Sequence, residues 1–248
     1  MEQRERVLIV SVQTMQTDED FAYANQELAQ LVDTAMGEVV ATVTQKRESI
    51  SGRTLVGKGK VEEISHLVDE LEVDLVVFYQ SLTGSMVKNL NETINCRIID
   101  RVQLILDIFA MRARSKEGKL QVQLAQLNYL LPRLSGQREG LSRQGGGIGT
   151  RGPGETRLET DRRYIRKQIQ DIEEQLEQIK KHRERSREKR KSSNGFQLGL
   201  IGYTNAGKST ILNQLTHAGT YQMDQLFATL DPLTRQVDLF PNFEVTLT

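Results

Sequence analysis

The chain has 248 residues, equal numbers of basic and acidic side chains at 33 each, and a single cysteine, Cys96. An internal disulfide is excluded. His66, His182 and His217 are scattered without zinc-site spacing, and the longest N-terminal apolar run, residues 7–12, is too short for a signal-peptide core or a membrane span. The expectation is a cytoplasmic monomer, with peripheral membrane attachment as the other placement. The neutral total hides a segregation: −6 over residues 1–115, +8 over 116–191 and −2 over 192–248. A polyanionic partner would therefore meet the middle of the chain.

In chain order, residues 7–12, 37–45, 73–80 and 96–100 are rich in β-branched residues and read as strands. Helical patterns near 20–35, 60–71, 84–94 and 101–113 alternate with them. Strands separated by crossover helices predict an α/β domain over 1–115, built on a mainly parallel sheet. "VGKGKVEEI" at 56–64 lacks the glycine spacing of a phosphate loop and has no hydroxyl after its lysine. It reads as a loop ending at a helix start.

Residues 116–191 form a basic helical segment. Leu120, Leu124, Leu127, Leu131 and Leu134 are spaced 4, 3, 4, 3, and so are Ile165, Ile169, Ile172, Leu176 and Ile179. Each set makes a narrow apolar seam on one helix face. Two such helices predict an antiparallel hairpin, a stiff arm whose first seam covers roughly 22 Å. The charged stretch 180–191 reads as a solvated helix face leading to a polar linker. Between the helices, residues 135–157 hold eight glycines, four arginines and no aromatic residue. A passive connector needs only a few residues. Glycines let backbone approach closely, and arginines meet phosphates and stack on bases. Arg138, Arg143, Gly145, Gly146, Gly147, Arg151 and Arg157 are accordingly the expected RNA contacts of a loop at the hairpin's tip.

The last segment, 196–248, opens with strand 196–201 and passes into "GYTNAGKST", Gly202 to Thr210. Gly202, Gly207, Lys208 and Ser209 satisfy the phosphate-loop pattern, with a strand before them and a helix after them. Backbone N–H groups of Gly202, Tyr203, Thr204, Asn205, Ala206 and Gly207 would wrap a phosphate, and the helix N-terminus would add its dipole. Lys208 would face the β- and γ-phosphates, and the Ser209 hydroxyl is a hard oxygen donor for Mg²⁺. Residues 220–234 read as a loop, and 235–240 with 243–248 as a β-hairpin around Pro241–Asn242. That order is the order of the start of a small GTPase domain. Its mobile first switch offers Thr229 or Thr234 to Mg²⁺ and the γ-phosphate.

"GYTNAGKST", "DQLFATLDPLTR" and "GGGIGTRGPGETRLETDRR" together resemble the HflX family of ribosome-associated GTPases. The resemblance implies GTP or GDP on Gly202 to Thr210 with Mg²⁺ on Ser209. It aligns the "FATLD" element with Phe227, Ala228, Thr229, Leu230 and Asp231, which makes Thr229 the switch threonine, with Lys208 beside it in catalysis. It further implies association with the large ribosomal subunit and its RNA, in splitting or rescuing stalled ribosomes under stress. Asp-x-x-Gly and Asn-Lys-x-Asp, the family's second metal motif and its guanine-reading motif, are not among these residues, so the sequence reads as a chain truncated within its GTPase domain: GTP hydrolysis is expected of the intact protein and not of this stretch alone. Two other functions fit the residues. One is a nucleotide-independent RNA-binding module. The other is an ATP-dependent RNA remodeller driven by the N-terminal domain, an activity linked to the family for which residues 1–115 carry no clean motif.

Overall fold

The structure is a computed structural model that describes residues 4–50, 52–136, 153–191, 196–202, 206–216, 234–240 and 243–247. Its first part runs β1 (Glu5–Gln13), α1 (Asp18–Thr34), β2 (Gly37–Lys46), α2 (Lys58–Glu70), β3 (Leu75–Phe78), α3 (Gly84–Asn91), β4 (Arg97–Asp100) and α4 (Arg101–Arg112). The four strands form a parallel sheet in the order β2-β1-β3-β4. The two-residue period of a strand divides the apolar run of β1 between two faces. Leu8, Val10 and Val12 join Val61, Ile64, Val76, Phe78 and Leu90 on the side of α2 and α3. Val7 and Ile9 join Leu28, Leu31, Val77, Leu104 and Ile108 on the side of α1 and α4. Local chemistry starts each of three helices. The side chains of Thr17, Thr83 and Asp100 accept the N–H groups of Asp20, Met86 and Gln103 as N-caps. Glycine suffices at the start of α2, where the Gly57 N–H donates to Gln45 Oε1 at 2.9 Å. The VGKGK stretch is therefore the loop and helix start expected of it.

α5 (Lys116–Gly136) and α6 (Pro153–Lys191) follow. Ser115 Oγ caps α5 by accepting from the Gly118 N–H at 2.8 Å. The pair is antiparallel, since Glu117 near the start of α5 pairs with Arg183 near the end of α6. Leu120, Ile165 and Ile172 of the two seams are buried, together with Val122. Both helices intrude on the loop expected at 135–157: α5 runs on to Gly136, and α6 begins at Pro153 and carries Arg157 as helix. Proline at a first helical position, followed by Glu155, is a helix-start signal that the surrounding glycines obscure in the sequence. Nor does the hairpin stand clear of the first segment. α5 packs on α3 and α4, and a Cβ on Gly84 would fall 2.3 Å from the Arg133 carbonyl oxygen.

The remaining elements are β5 (Phe196–Leu198), α7 (Lys208–Thr216), β6 (Arg235–Phe240) and β7 (Phe243–Leu247), in a sheet of order β5-β7-β6. β5 pairs parallel with β7, and β6 pairs antiparallel with β7. The expected helix and hairpin are present, and the strand expected over 196–201 is limited to Phe196–Leu198.

Candidate functional site

The site is built at the turn between β5 and α7. Gly207 has φ of +78°, in the left-handed region that side chains with a Cβ resist. Its carbonyl accepts the Ile211 N–H at 3.0 Å, so α7 begins immediately after this turn. Gly202 lies at the other end of the loop, with its missing Cβ 3.6 Å from Lys208 Cδ and 3.7 Å from Ala206 Cβ. The aliphatic stem of Lys208 is thus folded back across the loop, while Gly202, Ala206, Gly207 and Thr210 stay exposed and Lys208 is half-buried. α7 is anchored by Leu212, which is buried, and by packing on β6. The first N–H groups of a helix have no acceptor within it and carry the positive end of its dipole. Here they follow a glycine turn with a lysine stem laid over it, which is chemistry for an anionic phosphate group.

Of the residues expected at this site, Gly202, Ala206, Gly207 and Lys208 are brought together. Ser209 and Thr210 occupy the first turn of α7. Tyr203, Thr204, Asn205 and the whole of Phe227 to Asp231, including Thr229, lie outside the described residues, as does the Ser209 side chain. So do Arg138, Arg143, Gly145, Gly146, Gly147 and Arg151 of the glycine-rich stretch, whereas Arg157 lies in α6. Among the described residues no group of His, Cys, Asp and Glu side chains could hold a metal ion.

A second polar constellation escaped the sequence reading. Asp100 is 1% exposed at the end of β4, and its carboxylate accepts from the Leu82 N–H at 2.9 Å, the Gln103 N–H at 3.0 Å and Arg133 Nη2 at 3.1 Å. The Arg133 guanidinium lies over the Tyr129 ring, 3.3 Å from its centroid. Burial, then hydrogen bonding to Asp100, push the Tyr129 hydroxyl far above the ordinary tyrosine range. Leu82 and Arg133 lie 18 and 33 residues from Asp100, and no local motif announces these two contacts. Near β1 and β3, the Gln80 side chain accepts from the Val12 N–H at 3.1 Å and donates to its carbonyl at 2.5 Å. It follows Phe78, the last residue of β3, and lies level with Val12 inside β1, so it continues the pairing of these two strands by a side chain.

Comparison with known proteins matches three family models in succession along the chain. GTP-binding GTPase N-terminal covers residues 22–110, GTP-binding GTPase Middle Region 112–190, and 50S ribosome-binding GTPase 197–248. The chain is 59% identical over 243 residues to GTPase HflX of Alkalihalophilus pseudofirmus, covering 98% of this chain and 57% of that protein. It is 51% identical over 245 residues to GTPase HflX of Caldanaerobacter subterraneus, covering 99% and 56%. It is 48% identical over 214 residues to GTPase HflX of Escherichia coli, covering 86% and 50%. The chain therefore spans about half the length of the relatives it matches. Among solved structures it resembles that of SsGBP in complex with GDP, with a TM-score of 0.54 at 23% identity, covering 98% of this chain and 61% of the other. That likeness concerns the fold.

Proposed function

The chain belongs to the HflX family of GTPases, and from that premise we propose that this protein binds and hydrolyses GTP and associates with the large ribosomal subunit, acting in ribosome splitting or rescue. The observation that carries the nucleotide reading is the turn from Gly202 to Gly207, with its positive φ at Gly207 and the Lys208 stem folded against Gly202. In this reading the loop and the N-terminus of α7 hold the β-phosphate, and the Lys208 ammonium draws charge from the β–γ bridge. Ser209 and Thr229 would hold Mg²⁺, which neutralises charge developing on the phosphates. The guanine specificity of this reading comes from family membership. We divide the protein in the same spirit into an α/β domain over 1–115, a basic helical hairpin over 116–191 and a nucleotide-binding domain from 196. The Gly/Arg-rich stretch would contact ribosomal RNA through Arg138, Arg143 and Arg151, with Gly145 to Gly147 allowing close approach and Arg157 adding charge from the first turns of α6. The location would be cytoplasmic; no helix among the described residues is long and apolar enough to cross a membrane.

The test is equilibrium binding of GTP, GDP and ATP to the full chain and to its Lys208→Ala and Ser209→Ala variants. The reading expects tenfold or greater weakening for guanine nucleotides with Lys208→Ala, and loss of Mg²⁺-dependent enhancement with Ser209→Ala. Equal affinity of parent and both variants would overturn the site. Preference for ATP over GTP would move the protein to the remodelling alternative.

A further inference from the structure

α6 is a 39-residue helix, almost twice as long as α5. The ion pair of Glu117 with Arg183 places the start of α5 beside Arg183, so residues 184–191 of α6 continue past it. Over this end the character of the helix changes. The 4,3 spacing that brings Ile165, Ile169, Ile172, Leu176 and Ile179 to the seam continues to Arg183, Ser186 and Arg190. The row that faces α5 lower down is here charged and polar. From Lys180 to Lys191 eight cations stand against Glu184 and Glu188, with no apolar residue.

A merely solvated helix stabilises itself with opposite charges four residues apart. Here Lys181 and Arg185, and Arg183 and Arg187, are like-charged pairs at that spacing, which repel along the free helix. All of 180–185, 187 and 188 are exposed. Lys181 lies 4.0 Å from Glu177, and Arg183 uses Glu117. Among the described residues no ion pair is recorded for Lys180, Arg185 or Arg187. The exposed cations Arg114, Lys116 and Lys119 belong to the same end of the hairpin, around the start of α5.

We propose that this end of the hairpin, centred on Lys180, Arg185 and Arg187, is a second RNA-binding surface that engages the phosphate backbone. It lies at the opposite end of α6 from the Gly/Arg-rich stretch. The thirty residues from Arg157 to Arg187 span about 45 Å of helix, so the hairpin would hold RNA at two separate points. An anionic membrane is the other polyanion to weigh. A helix that binds in a membrane interface needs an apolar face to bury, and residues 180–191 have none. The choice of ribosomal RNA as the polyanion rests on the ribosome-binding reading above, whereas the surface itself does not depend on the Gly/Arg-rich stretch being an RNA contact.

The experiment measures binding of the full chain to purified large ribosomal subunits at several salt concentrations. The variants are Lys180→Gln/Arg185→Gln/Arg187→Gln, its charge-preserving counterpart Lys180→Arg/Arg185→Lys/Arg187→Lys, and Arg143→Ala/Arg151→Ala. Each neutralised phosphate contact adds nearly one unit to the slope of log affinity against log salt. The glutamine variant is expected to bind at least tenfold more weakly at low salt, with a slope shallower by about two to three units. The charge-preserving variant should bind like the parent, with equal helix content by circular dichroism in all three. The surface is overturned if the glutamine variant keeps the parent's affinity and slope, or if the charge-preserving variant is as weak as it. Loss in the glutamine variant alone, with Arg143→Ala/Arg151→Ala like the parent, supports this surface and rejects the loop reading. Loss in the loop variant alone does the reverse. Phosphatidylglycerol vesicles provide the last arm: loss of vesicle binding with ribosome binding unchanged would overturn the RNA assignment in favour of a membrane.

Discussion

Arg133 Nη2 and Asp100 Oδ2 lie 3.1 Å apart, joining the last turn of α5 to the carboxyl end of β4 with the carboxylate fully buried. The two residues belong to different segments by composition, one to the acidic first part and one to the basic hairpin. Because Asp100 also caps α4 and accepts from the Leu82 N–H, it ties the β3–α3 connection, the start of α4 and the helix pair into one unit.

Removing one partner of a buried pair leaves the other charged and unpaired. Arg133→Ala should therefore lower stability by about 3–5 kcal/mol, as should Asp100→Ala, which also deletes a helix cap. Arg133→Ala/Asp100→Leu should recover part of that loss, since a buried pair is often replaceable by apolar groups. Urea denaturation followed by circular dichroism measures all three, and a double variant less stable than both singles would contradict this account.

Gly84 has an ordinary backbone conformation and is constrained by space alone, with its virtual Cβ 2.3 Å from the Arg133 carbonyl. Gly84→Ala would gain helix propensity and yet force α5 away from α3. A net loss of about 1–3 kcal/mol is expected, together with faster amide exchange in the last turns of α5. A stabilised variant would mean that α5 moves aside without cost.

The Gln80 carboxamide bonds both polar groups of Val12, extending the β1–β3 ladder by a side chain. Gln80→Ala would leave a backbone N–H and carbonyl of a buried strand unsatisfied. The expected cost is about 1–3 kcal/mol, read from the urea midpoint at unchanged slope.

Asp107 on α4 is partly buried beside Gln126 of α5, and desolvation raises its pKa above the ordinary carboxylate range, with the Gln126 hydrogen bond opposing. A raised carboxyl pKa means that the folded state holds the proton more tightly than the unfolded state does. This group's contribution is therefore most favourable at acidic pH and is lost as pH rises through the ordinary carboxylate pKa to the folded one. Because Asp107 is only half-buried and water screens its charge, Asp107→Asn should be more stable than the parent at pH 7 by less than about 1 kcal/mol, and the advantage should shrink as pH falls through the raised folded pKa towards the ordinary value of about 4, where it is nearly gone. Thermal melts between pH 3 and 7 give the comparison; an advantage that grows on acidification would refute the sign.

Arg143→Ala/Arg151→Ala tests the Gly/Arg-rich stretch. If these two arginines meet ribosomal phosphates, ribosome affinity should fall and the salt slope should flatten by about one to two units. Nucleotide affinity of the free protein should not change. Co-sedimentation identical to the parent at every salt concentration would remove the stretch from the RNA interface.

By itself the sequence determined what depends on near neighbours. The β-branched run of residues 7–12, the glycine-lysine spacing of 202–209 and the 4,3 spacing of the two seams each act over a few residues, and they reappear as a sheet strand, a glycine turn at a helix start and a helix pair. Caps at Thr17, Thr83 and Asp100 belong to the same class, because a side chain meets a backbone N–H three residues on. Proline at position 153 was legible in principle, but the glycines around it pointed to a loop, and α6 begins there. Only the tertiary structure decided the strand order, the burial of Asp100 with Arg133, and the seat of α5 on Gly84. The physical reason is that these contacts join groups tens of residues apart. Their energies depend on desolvation and on close approach of backbones, neither of which exists until the sheet, its helices and the hairpin have packed.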